Sequence, residues 1–304
     1  MSRIIRAPLN RLLPGGIILG YHRISDTTWD PLNIAVSGKY FRSQLQVLSE
    51  LYEPVSLKSL VEMKRKGMSL KGFVSITFDD GCEDFIRQAV PELTRRSIPA
   101  TVFVTTGYSG KQFWWDEISC LMSKISADVD QIEVDLGPPD GRRIFRNLSL
   151  REPAANAVRE ICNQLLYLEP SARAEIIDRI RQQTAGDLAL ADVPRSMTRK
   201  QLQELSETQI VEIAAHTVTH PMLSQLDEAE QLDEIQRSKS DLETFGTAVT
   251  VAAVELVLIA LVWRASILSS HRIAGPVYVF ARQIIAVGAG DLTALINFRD
   301  KDRF

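Results

Sequence analysis

Two adjacent carboxylates, Asp79 and Asp80, and two histidines four positions apart, His216 and His220, are the residues of this chain best suited to chemistry. A zinc-type divalent cation takes imidazole nitrogens and a carboxylate, and in catalytic sites keeps one position open for water. One Asp of the pair can ligate such a cation. The other can take a proton from water whose pKa the metal has lowered. Each half alone has a plainer reading. Asp-Asp-Gly is a common turn, and a His-x3-His pair is often surface polarity. The four together point to a metal site. His22 is a third candidate, at the end of the first apolar run. It can act in catalysis or substrate contact, or serve as a hydrogen-bonded rim histidine.

The elements that must position these groups follow from apolar spacing and punctuation. Val74-Ser-Ile-Thr-Phe-Asp-Asp-Gly81 reads as a buried strand that delivers both acids at its C-terminal edge, where α/β barrels build active sites. Ile17-Ile-Leu-Gly-Tyr21 is a strand that delivers His22. Ser37 caps a helix with Phe41, Leu45 and Leu48 on one face, and Ser56 caps another that turns basic at Lys64-Arg-Lys66. Glu53–Ser56 is a brief strand, residues 83–96 a helix, and Pro99–Val104 a further strand. Strands alternating with helices at this rhythm predict a parallel α/β architecture.

From residue 107 to about 195 the rhythm breaks. Trp114-Trp115-Asp116-Glu117 opens a helix. Gly137-Pro-Pro-Asp-Gly141 turns between short extended pieces. Helices follow over 153–168 and 171–184, and the whole reads as an insertion. Thr198 with Gln201 forms a capping box. Ile210–Ala215 is the strand delivering His216, and with Pro221 following, His216 and His220 belong on the loop that leaves it. Asp227 with Glu230 starts a helix that runs to about Glu243. Trp114, Trp115 and Tyr108 offer either a sugar-stacking surface or packing of the insertion onto the barrel, and packing is the reading favoured here.

With 304 residues, 45% of them hydrophobic and 24% charged, the chain can bury a sizeable core. A net charge of −3 gives no nucleic-acid surface. Cys82, Cys120 and Cys162 are odd in number and contain no CxxC pair, so neither a cysteine zinc site nor a disulfide framework is supported, and Cys82 reads as a small core or rim residue. The basic start, interrupted by Pro8 and Pro14, has no continuous apolar run, so no secretory leader is expected.

The pieces Leu19-Gly-Tyr-His-Arg-Ile24, Thr77-Phe-Asp-Asp-Gly81, Pro99-Ala-Thr-Val-Phe-Val104 and His216-Thr-Val-Thr-His220, in that order, resemble the polysaccharide deacetylases of the NodB-homology type over about residues 17–243. The resemblance implies an α/β fold, a (β/α) barrel of that type, here incomplete and carrying a helical insertion. It implies Asp79 as general base, and Asp80, His216 and His220 as ligands of a divalent metal of the zinc kind. The reaction implied is hydrolysis of acetyl groups from an acetylated polysaccharide or cell-envelope glycan, often of N-acetylglucosamine. The family's later motifs, which include a Leu-x-His whose His acts as general acid, do not follow residue 243. Weak turnover is therefore expected, unless His22 or another group substitutes.

After Glu243 the composition changes. Residues 244–263 are apolar apart from Glu255 and long enough to cross a bilayer, which needs about 20 residues. One Glu at the centre costs about 3 kcal/mol, which the surrounding Val, Leu and Ile outweigh. A buried helix of a soluble domain is the plainer alternative. Ile273, Val277, Phe280, Ile284 and Val287 then recur at spacings of 4, 3, 4 and 3, a helix-packing seam. The segment over about 264–304 resembles the first helix and connector of a HAMP linker, which implies a parallel homodimer. The expected organisation is a deacetylase-like domain over 1–243 with its insertion at about 107–195. A transmembrane helix over 244–270 and a partial HAMP-like helix over 271–304 follow. The expectation is a single-pass membrane protein; Arg264, His271 and Arg272 by the charge rule put the C-terminus inside and the deacetylase side outside, while no leader is seen to export that domain, so its side stays open. A HAMP-type transducer with a degenerate deacetylase half is the alternative function. Both resemblances break off near Thr244, which also fits a junction of two genes; long reads of the source DNA across codons 240–250 decide that.

Overall fold

The computed structural model describes residues 15–125, 129–136, 141–184 and 193–245. Its centre is β5 (Phe73–Phe78), five of whose six residues are buried. A strand covered on both faces reads as one apolar run, and this is how central strands of parallel sheets look. On one side β5 pairs with β1 (Ile17–Tyr21), with Leu19 opposite Ile76. On the other it pairs first with β4 (Glu53–Pro54) and then with β6 (Ala100–Val104), which in turn pairs with β9 (Val211–Ala215). Every pairing in this sheet is parallel, and the path runs β1-β5-β6-β9. Among the described residues the sheet is open, with β1 and β9 at its edges. Because all four strands run the same way, their C-terminal ends share one rim.

The crossovers form where the caps predict them. The Ser37 side chain accepts from Tyr40 N–H and starts α1 (Gly38–Leu51), which buries Phe41, Leu45 and Leu48. Ser56 does the same for α2 (Leu57–Arg65), with Lys64 and Arg65 in its last turn, where cations complement the dipole. The helix expected over 83–96 is split. A π-helical stretch over Phe85–Ala89 precedes α3 (Val90–Arg96). Pro91 stands in the first turn of α3, has no N–H, and cannot extend the ladder back to residue 87. A two-stranded pairing of β2 (Arg23–Ile24) with β3 (Ala35–Val36) was not expected.

The insertion is built from α4 (Trp114–Ser123), the antiparallel hairpin of β7 (Gln131–Asp135) and β8 (Arg142–Arg146), α5 (Arg151–Leu165) and α6 (Pro170–Gln183). It has its own core, in which Trp114, Trp115, Ile118, Val158, Ile161 and Ile180 meet Cys82 from the sheet domain. Arg173 of α6 is buried, with protein groups around its guanidinium. It donates to the carbonyls of Leu165 and Leu168 at the end of α5, and its guanidinium lies 4.6 Å from the Trp114 ring centroid. The chain returns through bridges pairing Cys82 with Ser196 and Gln112 with Arg195.

Two capping boxes, Thr198 with Gln201 and Asp227 with Glu230, start α7 (Arg199–Ser206) and α8 (Glu228–Thr244). Helix α8 runs through Thr244, and Phe245 after it is buried in the main core with Leu242. Among the described residues no helix is long and apolar enough to cross a membrane. The span expected over 244–263 begins in the last turn of α8. Its remainder, with the HAMP-like segment and its dimer seam, lies outside the described residues.

Candidate metal and catalytic site

Three strands deliver their chemistry to the same rim. His22 follows β1, Asp79 and Asp80 follow β5, and His216 follows β9. The acids are held by a local backbone device. The N–H of Asp79 continues the ladder to the carbonyl of Tyr21 at 2.8 Å, and the N–H of Gly81 turns back to the carbonyl of Asp79 at 2.9 Å. That i to i+2 bond closes a γ-turn with Asp80 at its centre, at a φ of 69°, a conformation a non-glycine residue adopts only under constraint. The turn points the two neighbouring carboxylates differently. Asp80 is 3% exposed, whereas the side chain of Asp79 is 30% exposed. Gly81 is required twice, by its φ of 81° and because a Cβ there would sit 3.1 Å from Val104.

The second half of the site is the five-residue loop from His216 to His220. The N–H of His216 pairs with the carbonyl of Val104, the last rung of β9 on β6. Thr217 and His220 then take φ values of 66° and 56°, which turn both imidazoles toward Asp80. Asp80 Oδ1 lies 3.7 Å from His216 Nε2 and 3.3 Å from His220 Nε2. One donor atom from each residue falls in a group whose members all lie within 4.8 Å of one another, the only such group of three among the described residues.

The polar accounting favours a cation here. Asp80 Oδ1 is buried and among the atoms left without a well-formed hydrogen bond, although His220 Nε2 lies 3.3 Å away, and His220 Nδ1 is likewise buried without a partner. A buried acceptor left unpaired costs about 1–3 kcal/mol, so such an atom calls for an explanation, and an ion is one. Burial pulls the Asp80 carboxyl upward, but His220, then His22 and His216, outweigh it and hold the group below its ordinary value. At Asp79 burial wins. Its carboxyl is raised, against the pull of His216 and His22 and with a push from Asp80. Burial lowers the His216 imidazole, which keeps it neutral and available as a ligand. Thus one carboxylate is held ionised among nitrogen donors, and its neighbour is a stronger base with an open face.

His22 is brought to the site. Its Nε2 lies 3.9 Å from Asp79 Oδ2, and its side chain is 42% exposed, so it faces the cleft beside the proposed base. Trp115 packs against His220 with ring centroids 5.0 Å apart and is buried, as is Trp114. These tryptophans wall the site and join the insertion to it, and neither presents an open face to a sugar. Sequence reasoning missed two groups of contacts. Arg23, next to His22, pairs with Asp84 at 2.8 Å and Asp116 at 3.2 Å. Glu234 of α8 holds the histidine loop. No local signal announces either contact, because each joins elements far apart in the chain. Only the capping box of α8 shows that Glu234 lies on a helix.

The polysaccharide deacetylase family model matches residues 66–134 and 177–254, and the gap between them lies within the helical insertion. The poly-beta-1,6-N-acetyl-D-glucosamine N-deacetylase of Staphylococcus aureus is 32% identical over 109 residues, which is 32% of this chain and 38% of that protein. The protein of the same name from Staphylococcus epidermidis is also 32% identical over 109 residues, covering 31% and 37% of the two chains. The chain thus spans well under half the length of these curated relatives. Among solved structures, IcaB from Ammonifex degensii is 16% identical with a TM-score of 0.47, covering 82% of this chain and 81% of its own. The Streptococcus pyogenes deacetylase PplD in complex with acetate is 20% identical with a TM-score of 0.44, covering 80% and 78%. Asp79 and Asp80 fall in the first stretch matched by the polysaccharide deacetylase family model and His216 and His220 in the second, so the similarity includes both halves of the candidate site.

Proposed function

We propose that this chain is a metal-dependent hydrolase that removes acetyl groups from a polysaccharide of the N-acetylglucosamine type. The observation that supports it most is the buried, unpartnered Asp80 Oδ1 between two imidazoles, with the more exposed carboxylate of Asp79 alongside. The named relatives act on poly-beta-1,6-N-acetyl-D-glucosamine, which is the substrate class proposed for this chain.

Asp80, His216 and His220 would hold the divalent ion. When bound, it supplies a Lewis acid that polarises the acetyl carbonyl and acidifies water. The remaining work falls to the protein. Asp79, whose carboxyl burial raises above its ordinary value, takes a proton from the water that attacks the acetyl carbon. His22 lies within reach of the same carboxylate and is the group in the described cleft placed to hold Asp79 in position or to hand a proton to the leaving amine. Gly81 and the γ-turn keep Asp79 and Asp80 facing different ways, so the base does not collapse onto the ligand set.

Acetate release from β-1,6-linked N-acetylglucosamine oligomers, measured with the zinc-loaded chain, tests the reading. Wild type is expected to release acetate slowly, and Asp79→Asn to reduce the rate by about 10²–10⁴-fold, the usual worth of a general base. Equal rates for both proteins would remove Asp79 from the mechanism.

A further inference from the structure

We infer that Glu234, on α8, is the positioning residue that fixes the histidine pair in ligating geometry. The inference rests on the metal-site reading above and goes beyond it to a residue outside the ligand set.

The loop from His216 to His220 cannot hold itself. Two of its five residues, Thr217 and His220, have positive φ, each costing of order 1 kcal/mol or more for a non-glycine residue. Its polar groups are satisfied from two sides. On the carbonyl side, the N–H groups of Thr106 and Gly107 donate to the carbonyls of Thr217 and Val218 at 3.2 and 2.9 Å. On the N–H side one carboxylate does the work. Glu234 Oε2 accepts from Val218 N–H at 2.7 Å and from Thr219 N–H at 2.9 Å, and Oε1 accepts from the Thr219 hydroxyl at 2.8 Å. Inside the loop, His220 N–H donates to Thr217 Oγ1 at 3.2 Å. The segment between the two ligands is therefore clamped on one side by the 3-10 turn Thr106–Tyr108 that follows β6, and on the other by a single side chain of α8.

Three hydrogen bonds to an ionised acceptor are of the stronger, charge-assisted kind. Glu234 is half-buried, which limits competition from water. Without it the N–H groups of Val218 and Thr219 lose their only protein acceptor among the described residues. The loop would relax, and His220 would swing relative to Asp80. A second carboxylate seven residues on, Asp241, accepts from Thr106 Oγ1 at 2.7 Å and so fixes the opposing side of the clamp from the same helix. Seven residues are close to two helical turns, so both acids lie on one face of α8.

The test uses the full chain, stripped of metal and titrated with Co2+, whose visible absorption reports ligand geometry. Wild type is expected to bind one Co2+. Glu234→Ala should bind it 10–100-fold more weakly, the usual effect of losing a group that orients a ligand, and with a shifted visible band. Glu234→Gln keeps an oxygen for the two N–H groups and an amide that can donate to Thr219 Oγ1, so it should recover most of the affinity and the wild-type band. A purely structural role would lower stability in Glu234→Ala and leave the band in place. Should Glu234→Ala fail to fold, Thr219→Val, which removes one contact of the three, should still weaken Co2+ binding by a few-fold. Wild-type affinity and spectrum in Glu234→Ala, or in Thr219→Val where the alanine variant does not fold, would overturn the inference. A wild-type chain that takes up no Co2+ would instead overturn the metal-site reading beneath it.

Discussion

Asp116 is 4% exposed, and its Oδ2 has no hydrogen-bond partner, although Oδ1 meets Arg23. Burial pushes its carboxyl up to about 7, with Arg23 opposing and the Asp80 and Asp84 charges adding. An unfolded aspartate titrates near 4. The folded state therefore holds this proton between about pH 4 and pH 7 while the unfolded state has released it. Stability contributed by the protonated form is complete below pH 4 and declines as pH rises through 7, at ~1.4 kcal/mol per pH unit for one proton. Asp116→Asn, which cannot titrate, should flatten that decline relative to wild type. Urea unfolding at pH 5 and pH 7 measures it, and parallel behaviour of the two proteins would show that Asp116 is ionised throughout. At this scale the sequence was informative where a residue's role is set by its own neighbours. Thr77-Phe-Asp-Asp-Gly81 and His216-Thr-Val-Thr-His220 announce chemistry locally. The buried state of Asp116 was not legible, because it depends on Arg23, which is 93 positions away.

Gly107 shows how closely the elements are fitted around the site. It lies in the 3-10 turn Thr106–Tyr108 that follows β6, and a Cβ built on it would meet the carbonyl oxygen of Val218 at 2.5 Å, a backbone atom that cannot step aside without moving the histidine loop. Gly107→Ala should therefore cost about 1–3 kcal/mol of stability, as overpacking does, and should weaken metal binding as well. Thermal unfolding read with and without Zn2+ checks both. A variant that keeps both the wild-type midpoint and the wild-type Zn2+ stabilisation would show that the loop is not held against the turn after β6. Elements with caps and strong apolar periodicity were legible in advance. Ser37, Ser56, Thr198 and Asp227 each start the helix they announce. The strands β1, β5, β6 and β9 fall where apolar runs placed them. The π-helical start at Phe85–Ala89 and the β2–β3 pairing were not legible, since the first reflects a single missing N–H and the second is only two residues long on each side.

On the scale of the whole molecule, one parallel sheet brings three separate stretches to a common rim, and α8 braces that rim from behind. The break in rhythm from residue 107 was legible, but the second core formed there, with Cys82 and both tryptophans inside it, was not. Composition alone cannot say whether an aromatic cluster faces a sugar or a neighbour. Phe245, buried with Leu242, ties the end of α8 into the main core just before the apolar run. The central claim is that Asp80, His216 and His220 form one divalent-metal site, and the most direct test is metal content. Elemental analysis of the purified chain after equilibration with Zn2+ should give one ion per wild-type molecule and a loss of binding in Asp80→Ala, with the variant's circular dichroism unchanged. Equal zinc in the two proteins would contradict the ligand assignment and with it the site as described.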